Sequence, residues 1–108
     1  MHPIVQQNPA LHRFEIHLGG DLIGVCDYTQ TGNRLSFTHT EIEPEHGGKG
    51  YAKLLVETAL NDAATQGLEV APYCSYIRKV IAEQPDTYLA LVPVEIREQL
   101  GLSDNTTK

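Results

Sequence analysis

The sequence predicts a domain of the α+β or mixed α/β class, and three observations lead to this class. Segments of alternating apolar and polar residues, separated by glycine-containing turns, fill the chain between Arg13 and Ile42. After Pro44 the apolar residues recur at helical spacing, and a short apolar segment and a second helical pattern follow. The predicted order is β-β-β-α-β-α, in which the strand after the first helix can pair in parallel with the strand before it, as a central parallel pair.

The first three predicted strands form an antiparallel meander. In RFEIHL, every second residue from Phe14 to Leu18 is apolar, which is the period of a half-buried strand. The pair Gly19 and Gly20 can adopt positive φ and turn the chain into LIGVCDYTQ, which is rich in strand-forming residues. A TGN turn leads to RLSFTHTEI, where Leu35 and Phe37 are predicted to share one face.

The second half of the chain is predicted to contain three helices and one strand. Apolar residues three and four apart predict the main helix over residues 51–66, and Gly67 ends it as a C-terminal cap would. LEVAP is short and apolar, as a strand buried against that helix would be. SYIRKVIAEQ is predicted as a helix with Ser75 as its N-cap, and PVEIREQLGL as a short helix with Pro93 near its first turn. The polar tail, 103–108, is expected to be flexible.

Composition and charge limit the classes of function. The chain has 108 residues, so one domain, 1–108, and one site are expected. We expect no membrane partner because no apolar run is long enough to span a bilayer. The start of the chain lacks the pattern of a secretory signal, so we expect a cytoplasmic protein in which Cys26 and Cys74 are free thiols. The formal net charge of −6 argues against a nucleic-acid partner and favours a cationic or amine-bearing one.

The stretch EPEHGGKGYAKLL places Gly47, Gly48 and Gly50 directly before the main predicted helix. A phosphate-binding loop needs glycines for close approach of backbone N–H groups, and a helix start to favour an anion. The stretch is not a Walker A sequence because Lys49 is not followed by Ser or Thr. A dinucleotide fingerprint also fails, since its third glycine would fall at Lys53. Phosphate binding and a simple flexible turn both fit this pattern.

The segment HTEIEPEHGGKGYAKLLVETAL resembles the acetyl-CoA-binding segment of the GNAT acetyltransferases. The family signature is Gln or Arg, two residues, Gly, one residue, then Gly or Ala; Gly48 and Gly50 match it, whereas Glu45 departs from it. The chain more closely resembles compact single-domain GNAT-like proteins, which carry HTE, GKG and a downstream cysteine preceded by proline. This resemblance covers about residues 12–92, and the matching residues are His39, Thr40, Glu41, Gly48, Lys49, Gly50, Pro72 and Cys74.

The resemblance implies an N-acetyltransferase that uses acetyl-CoA, with a small amine or a protein lysine side chain as the acceptor. Acetyl-CoA or coenzyme A would lie between two splayed parallel strands, with its pantetheine along the strand that ends at Ile42. Arg78 and Lys79 are implied candidates for the 3′-phosphate, although they equally fit a helix surface. The pyrophosphate would meet backbone N–H groups of His46, Gly47, Gly48, Lys49, Gly50, Tyr51 and Ala52.

Two residues are candidates for catalysis. Cys74 precedes a predicted helix N-terminus, where a thiolate would be stabilised. The resemblance implies that Cys74 acts as an acetyl-carrying nucleophile or as a donor near the thioester sulfur; the alternative is a small buried residue. His39, predicted on the face of Leu35 and Phe37, would act as a base or orient Cys74, or serve a structural role.

The remaining candidates have ordinary structural explanations as well. Cys26 is predicted as a core residue with no base beside it. Glu41 would take a proton if burial favoured its neutral form, or is a solvated carboxylate at a strand end. Lys49 would neutralise phosphate or stay solvated. The histidines lack ligand spacing such as HxxxH or CxxC, so no metal site is expected. Three tyrosines would line a ligand slot or belong to the core: Tyr73, Tyr76 and Tyr88. A coenzyme-A-binding or protein-interaction module with little turnover is the alternative function.

Overall fold

The computed structural model describes residues 2–102, and the tail predicted to be flexible, 103–108, lies outside them. Within the described residues five strands form one sheet in the order β1-β2-β3-β4-β5. The strands are β1 (Ile4–Asn8), β2 (Arg13–Leu18), β3 (Asp21–Thr31), β4 (Arg34–Ile42) and β5 (Glu69–Pro72). The helices are α1 (Tyr51–Thr65), α2 (Ser75–Glu83), α3 (Pro85–Tyr88) and α4 (Val94–Arg97), with 3₁₀ turns at Pro9–Leu11, Pro44–His46 and Leu89–Leu91.

The sheet confirms the predicted fold class. Strands β1 to β4 pair antiparallel, and β5 pairs in parallel with β4 after the crossover through α1. Strand β1 was not predicted; it pairs with β2 so that Val5 lies opposite Ile16. The parallel pair was predicted at the centre of the sheet, but in the described part of the chain β5 is the last strand, because the chain after it forms helices.

One face of the sheet forms the core with α1 and α2. Helix α1 contacts all five strands, and α2 contacts β4 and β5. Each fully buried large aliphatic side chain in this layer contributes about 1.5–3 kcal/mol relative to an exposed one. The buried helix residues are Leu55, Val56, Ala59, Leu60 and Ala63 on α1 and Ile77, Val80 and Ile81 on α2. No helix in the described chain has the length and apolar character needed to cross a membrane.

A β-bulge in β4 changes which side chains face this core. Asp27 pairs with His39 and Tyr28 with Phe37, so Thr38 is an extra residue in β4. Because an extra residue reverses the alternation, the side chain of Thr40 contacts core residues, whereas that of His39 is 55% exposed. The expectation that His39 shares the face of Leu35 and Phe37 is therefore wrong.

The helix ends agree with the sequence in part. Gly67 follows α1 with φ 73°, and its N–H donates to Ala64, as a C-terminal glycine cap does. Ser75 was expected as the N-cap of α2, but Cys74 holds that position with an extended backbone, and Ser75 is the first helical residue. Helix α4 is a single turn that follows Pro93.

Candidate functional site

The loop between β4 and α1 depends on two glycines. Gly48 and Gly50 have φ values of 76° and 84°, a conformation that L side chains rarely adopt, and Gly50 is the N-cap of α1. Gly47 has φ −69°, so the backbone conformation at this position does not require a glycine. These backbone angles define a turn before α1 in which, from residue 47 to residue 50, only Lys49 carries a side chain.

The N-terminus of α1 is suited to an anion. The first N–H groups of a helix lack partners within the helix, and the helix dipole adds positive potential there. Among residues 2–102, no side chain caps this end of α1, and its first turn contains no acidic residue. These N–H groups are therefore available to an anionic ligand.

A cleft of about 230 Å³ lies in front of this loop and helix end. Tyr76 of α2 forms one wall, and burial raises the pKa of its phenol. Tyr73 is exposed, and Tyr88 is buried with its hydroxyl donating to Asn61, so the predicted tyrosines do not form one slot. The lining residues are Ile42, His46, Gly47, Gly48, Gly50, Tyr51, Ala52, Lys53 and Tyr76.

A second depression, of about 150 Å³, lies along β3 and β4. It is lined by Leu22, Ile23, Gly24 and Val25 together with two carboxylates, Glu41 and Glu43. The carboxylates disfavour an anion there, and no helix N-terminus lines this depression. A phosphate-bearing ligand therefore fits the glycine-lined cleft.

Strands β4 and β5 part beside the cleft. Their parallel pairing runs from Arg34 opposite Glu69 to Phe37 opposite Pro72. Strand β4 continues to Ile42, whereas β5 ends and the chain turns into α2. The backbone N–H of Cys74 donates to the carbonyl of Phe37 across 2.9 Å, which holds Cys74 at the base of this opening.

Cys74, Thr40 and Cys26 form a chain of hydrogen bonds. The Sγ of Cys74 donates to the Oγ1 of Thr40 across 3.4 Å, and that hydroxyl donates to the Sγ of Cys26 across 3.7 Å. Both cysteines are buried free thiols, as the sequence predicted. Burial raises the pKa of Cys26 to about 12, so that group keeps its proton. Thr40 was missed as a site residue because the bulge at Thr38, which turns it inward, leaves no sign in the sequence pattern.

The structure does not bring His39 to Cys74. The Nε2 of His39 lies 3.0 Å from the Oε1 of Glu41, in an exposed pair. These two side chains lie on the face of β4 opposite to Thr40, the hydrogen-bond partner of Cys74. His39 therefore does not orient the thiol, and its role as a base toward an acceptor stays a prediction.

The basic residues lie at different distances from the cleft. The Nη1 of Arg78 donates to the backbone carbonyls of Pro72 and Tyr73, at 3.2 and 2.9 Å, so this guanidinium supports the turn between β5 and α2. The Nζ of Lys79 lies 6.0 Å from the ring centroid of Tyr76, a lining residue of the cleft. Lys49 is exposed at the tip of the glycine loop.

One group in the described chain has potential metal ligands close together. Ligand atoms of Glu43, Glu45 and His46 lie within 4.8 Å of one another. Glu43 and Glu45 are exposed, and the Oε2 of Glu45 lies 3.8 Å from the Nε2 of His46. Exposed acidic groups of this kind are common without a metal, so this arrangement alone supports no metal site.

Comparison with known sequences identifies relatives of the chain. A sequence model described as GCN5-related N-acetyl-transferase matches residues 13–91. The chain is 30% identical over 83 residues to Protein NATD1 of Mus musculus, an alignment that covers 75% of this chain and 76% of that protein. Protein NATD1 of Homo sapiens matches at 30% identity over 83 residues, with 75% of this chain and 74% of that protein covered.

Solved structures show the same fold. A GCN5-like protein from Staphylococcus aureus superposes with a TM-score of 0.62 at 22% identity, covering 83% of this chain and 87% of that one. An N-acetylglutamate synthase from Neisseria gonorrhoeae, complexed with coenzyme A and N-acetyl-glutamate, superposes with a TM-score of 0.50 at 12% identity, over 63% of this chain and 18% of that one. Together with the sequence match, this likeness confirms the resemblance to GNAT acetyltransferases: the chain belongs to the GCN5-related N-acetyltransferase family.

Proposed function

We propose that the protein is an N-acetyltransferase that takes acetyl from acetyl-CoA and transfers it to a small amine or to a lysine side chain. The observation that supports this most is the glycine loop, in which Gly48 and Gly50 hold positive φ at the N-terminus of α1. Positive potential and close backbone approach are what a pyrophosphate needs. The neighbouring cleft and the parting of β4 and β5 provide a place for the rest of the molecule.

The described residues fit coenzyme A as a bound substrate. Backbone N–H groups from Gly48 to Ala52 would hold the pyrophosphate, whereas those of His46 and Gly47, also predicted for this role, already donate to the carbonyls of Glu43 and Pro44. The part of β4 up to Ile42, without a β5 partner, would hold the pantetheine. Lys79 lies beside Tyr76 on the cleft wall, so its ammonium is a candidate for the 3′-phosphate. Arg78 is a weaker candidate, since it already donates to two backbone carbonyls. The neisserial relative in fold was solved with coenzyme A bound, which agrees with this assignment.

The transfer requires a neutral amine that attacks the thioester carbonyl. The carbon–nitrogen bond forms as the carbon–sulfur bond to coenzyme A breaks, and the amine proton replaces acetyl on sulfur. Cys74 would act either as an intermediate acetyl carrier or as a proton donor to the departing thiolate. The net charge of −6 favours an amine acceptor, because the protonated form of such an acceptor is attracted to the protein before it reacts.

Turnover of acetyl-CoA with a panel of amines and lysine peptides tests this function. We expect release of coenzyme A that depends on the acceptor, together with an acetylated product identified by mass spectrometry. Gly48→Ala should reduce turnover by weakening acetyl-CoA binding. Gly32→Ala introduces the same positive-φ strain in the turn between β3 and β4 and should retain activity. The proposal would be overturned if neither acetyl-CoA nor coenzyme A binds.

A coenzyme-A-binding module with little turnover is the second candidate. It is favoured by the surroundings of Cys74, since His39 and Glu41 lie on the other face of β4. In this case calorimetry would detect coenzyme A binding, weakened by Gly48→Ala, while no acceptor in the panel becomes acetylated.

A further inference from the structure

The depression along β3 and β4 lies on the other side of β4 from the glycine-lined cleft. Ile42 lines the cleft, whereas its chain neighbours Glu41 and Glu43 line the depression. Successive side chains of a strand point to opposite faces, so a single strand separates the depression from the cleft. Val25, which pairs with Glu41, also lines the depression. The depression therefore lies on the face of the sheet opposite to Thr40 and the core.

One carboxylate of the depression is available to a cation. In the described part of the chain the carboxylate of Glu43 makes no hydrogen bond or ion pair, and its backbone N–H donates to the carbonyl of Ile23 across 2.8 Å. Glu41 instead lies 3.0 Å from His39. Glu45 lies close to Glu43 and adds to the negative potential. No lysine or arginine among the described residues lines the depression, so its charge favours a cation.

The rest of the depression suits an aliphatic chain. Leu22 and Val25 provide apolar side chains, and Leu22 is 37% exposed. Methylene groups can pack on such a surface while an ammonium at the end of the chain reaches a carboxylate. The volume of about 150 Å³ compares with about 30 Å³ for each water molecule in the liquid. The depression therefore has room for an ammonium and a short aliphatic chain and is small for a peptide segment.

We propose that this depression binds the acetyl acceptor and that the acceptor is a small aliphatic diamine. The inference rests on the proposed function and names the class of its amine. An amine must be neutral to attack the thioester, so a monoamine or a lysine side chain in its reactive form leaves the carboxylates without a cation. A diamine keeps one ammonium beside Glu43 while its other, neutral amino group reacts. Only that second amino group changes its bonds, as in the transfer described above.

The reacting amino group has to cross the width of one strand. After Phe37, β4 has no β5 partner, so its free edge joins the face with the depression to the face with the cleft. Neighbouring strands lie about 5 Å apart, a distance that a few methylene groups span. The helix end that suits the phosphates of coenzyme A is positive, whereas the depression is negative. Donor and acceptor are thereby directed to opposite sides of β4.

The experiment compares two acceptors that differ in one ammonium, the diamine cadaverine and the monoamine pentylamine. Steady-state turnover with acetyl-CoA gives KM and kcat for each amine in wild type, Glu43→Gln and Glu98→Gln. Glu98→Gln removes the same charge at an exposed residue outside the depression and is the matched control. Calorimetry measures the dissociation constant of coenzyme A in all three proteins.

We expect the KM of wild type for cadaverine to lie roughly threefold to tenfold below that for pentylamine, with similar kcat, because an exposed ion pair contributes modestly. Glu43→Gln should remove this difference by raising the KM for cadaverine, and Glu98→Gln should retain it. Added salt should weaken the preference of wild type, since it screens exposed charges. All three proteins should bind coenzyme A alike.

Binding of the diamine is also measured without turnover. Cadaverine is titrated into ¹⁵N-labelled protein, and the largest amide shifts should fall in residues 22–25 and 41–43, which include the lining of the depression. Glu41→Gln is compared in this titration only, because its effect on turnover would also reflect its contact with His39. Both Glu41→Gln and Glu43→Gln should weaken the binding of cadaverine.

Three results would overturn the inference while leaving the proposed function intact. The first is an equal KM for the two amines in wild type, and the second is an undiminished preference for cadaverine in Glu43→Gln. The third is acetylation of a lysine peptide with no cadaverine shifts in the depression. Absence of coenzyme A binding in wild type would instead overturn the proposed function itself.

Discussion

The backbone N–H of Cys74 donates at 2.9 Å to the carbonyl of Phe37, the last β4 residue paired with β5, and Cys74 lies two residues after the partner of Phe37, Pro72. This bond fixes where the two strands part. It also places the N-terminus of α2 beside the inward face of β4, where Thr40 lies three residues beyond Phe37. The glycine loop and the partner of the Cys74 thiol therefore lie on the same strand end, although Cys74 itself is buried and does not line the cleft in front of the loop.

Replacing Gly48 tests whether the glycine loop binds coenzyme A or is only a structural turn. Gly48→Ala places a side chain at φ 76° in open space, so the cost is backbone strain of about 1–2 kcal/mol. Because the strain shifts N–H groups that would hold the pyrophosphate, we expect coenzyme A affinity to fall by roughly tenfold or more. Urea denaturation and calorimetric titration measure the two effects.

The control is Gly32→Ala, whose φ of 60° and open surroundings match those of Gly48. It should lower stability by a similar amount and leave coenzyme A affinity unchanged. Equal loss of affinity in both variants, or in neither, would mean that the conformation of the glycine loop does not serve binding.

Gly24 allows β3 and β4 to pack closely, so Gly24→Ala should destabilise the protein. An added Cβ would overlap the side chain of Ile42 and lie 2.9 Å from the carbonyl oxygen of Glu41, which is backbone and cannot rotate away. Overpacking of this kind costs about 1–3 kcal/mol. The midpoint of urea denaturation should fall. In Gly47→Ala the midpoint should stay near wild type, since its nearest neighbour would lie at 3.4 Å. Equal midpoints for all three proteins would contradict this packing.

The buried thiol of Cys26 should make stability depend on alkaline pH. Its pKa is raised from 9.0 to about 12 by burial, so between these values the unfolded chain loses a proton that the folded chain keeps. Stability therefore falls as pH rises, by about 1.4 kcal/mol between pH 8 and pH 10. Urea denaturation at the two pH values measures this loss, which should shrink in Cys26→Ala. An undiminished loss in that variant would show that other groups cause the dependence.

Because of Glu15, the free energy of unfolding should decrease as pH falls in the acidic range, whereas Cys26 lowers it as pH rises. The hydrogen bond from Asn8 lowers the pKa of this buried carboxyl, desolvation opposes it, and Arg13 and His17 add to the lowering, so the pKa is lowered overall. The stabilisation is present above the ordinary value of 4.5 and is lost as pH falls through the lowered one. Glu15→Gln should therefore show a weaker loss of stability in acid than wild type. Exposed Glu98→Gln should behave as wild type, and an unchanged acid response in Glu15→Gln would refute the assignment.

The order of elements from β2 to α2 could be predicted because the hydrophobic period changes clearly from two residues to helical spacing near Pro44. The hairpin at Gly19 and Gly20 followed from glycine chemistry, and both residues have positive φ. Strand β1 was missed because IVQQN shows no apolar alternation; its strand structure comes from pairing with β2.

The composition of the candidate site was only partly predictable. The glycine loop is local, so its sequence indicates its conformation. The partners of Cys74 depend on the bulge at Thr38 and on pairing between distant strands, which no local pattern records. Alternation without a bulge directs His39 inward and Thr40 outward, the reverse of what the structure has.

Titration of coenzyme A into ¹⁵N-labelled protein, followed by two-dimensional NMR, tests the central claim most directly because it reports both affinity and position. The expected result is sub-millimolar binding in which the largest amide shifts fall between His46 and Ala52, with smaller shifts near Thr40 and Cys74. Absence of binding, or shifts confined to residues outside the glycine loop and the β4–β5 opening, would contradict it.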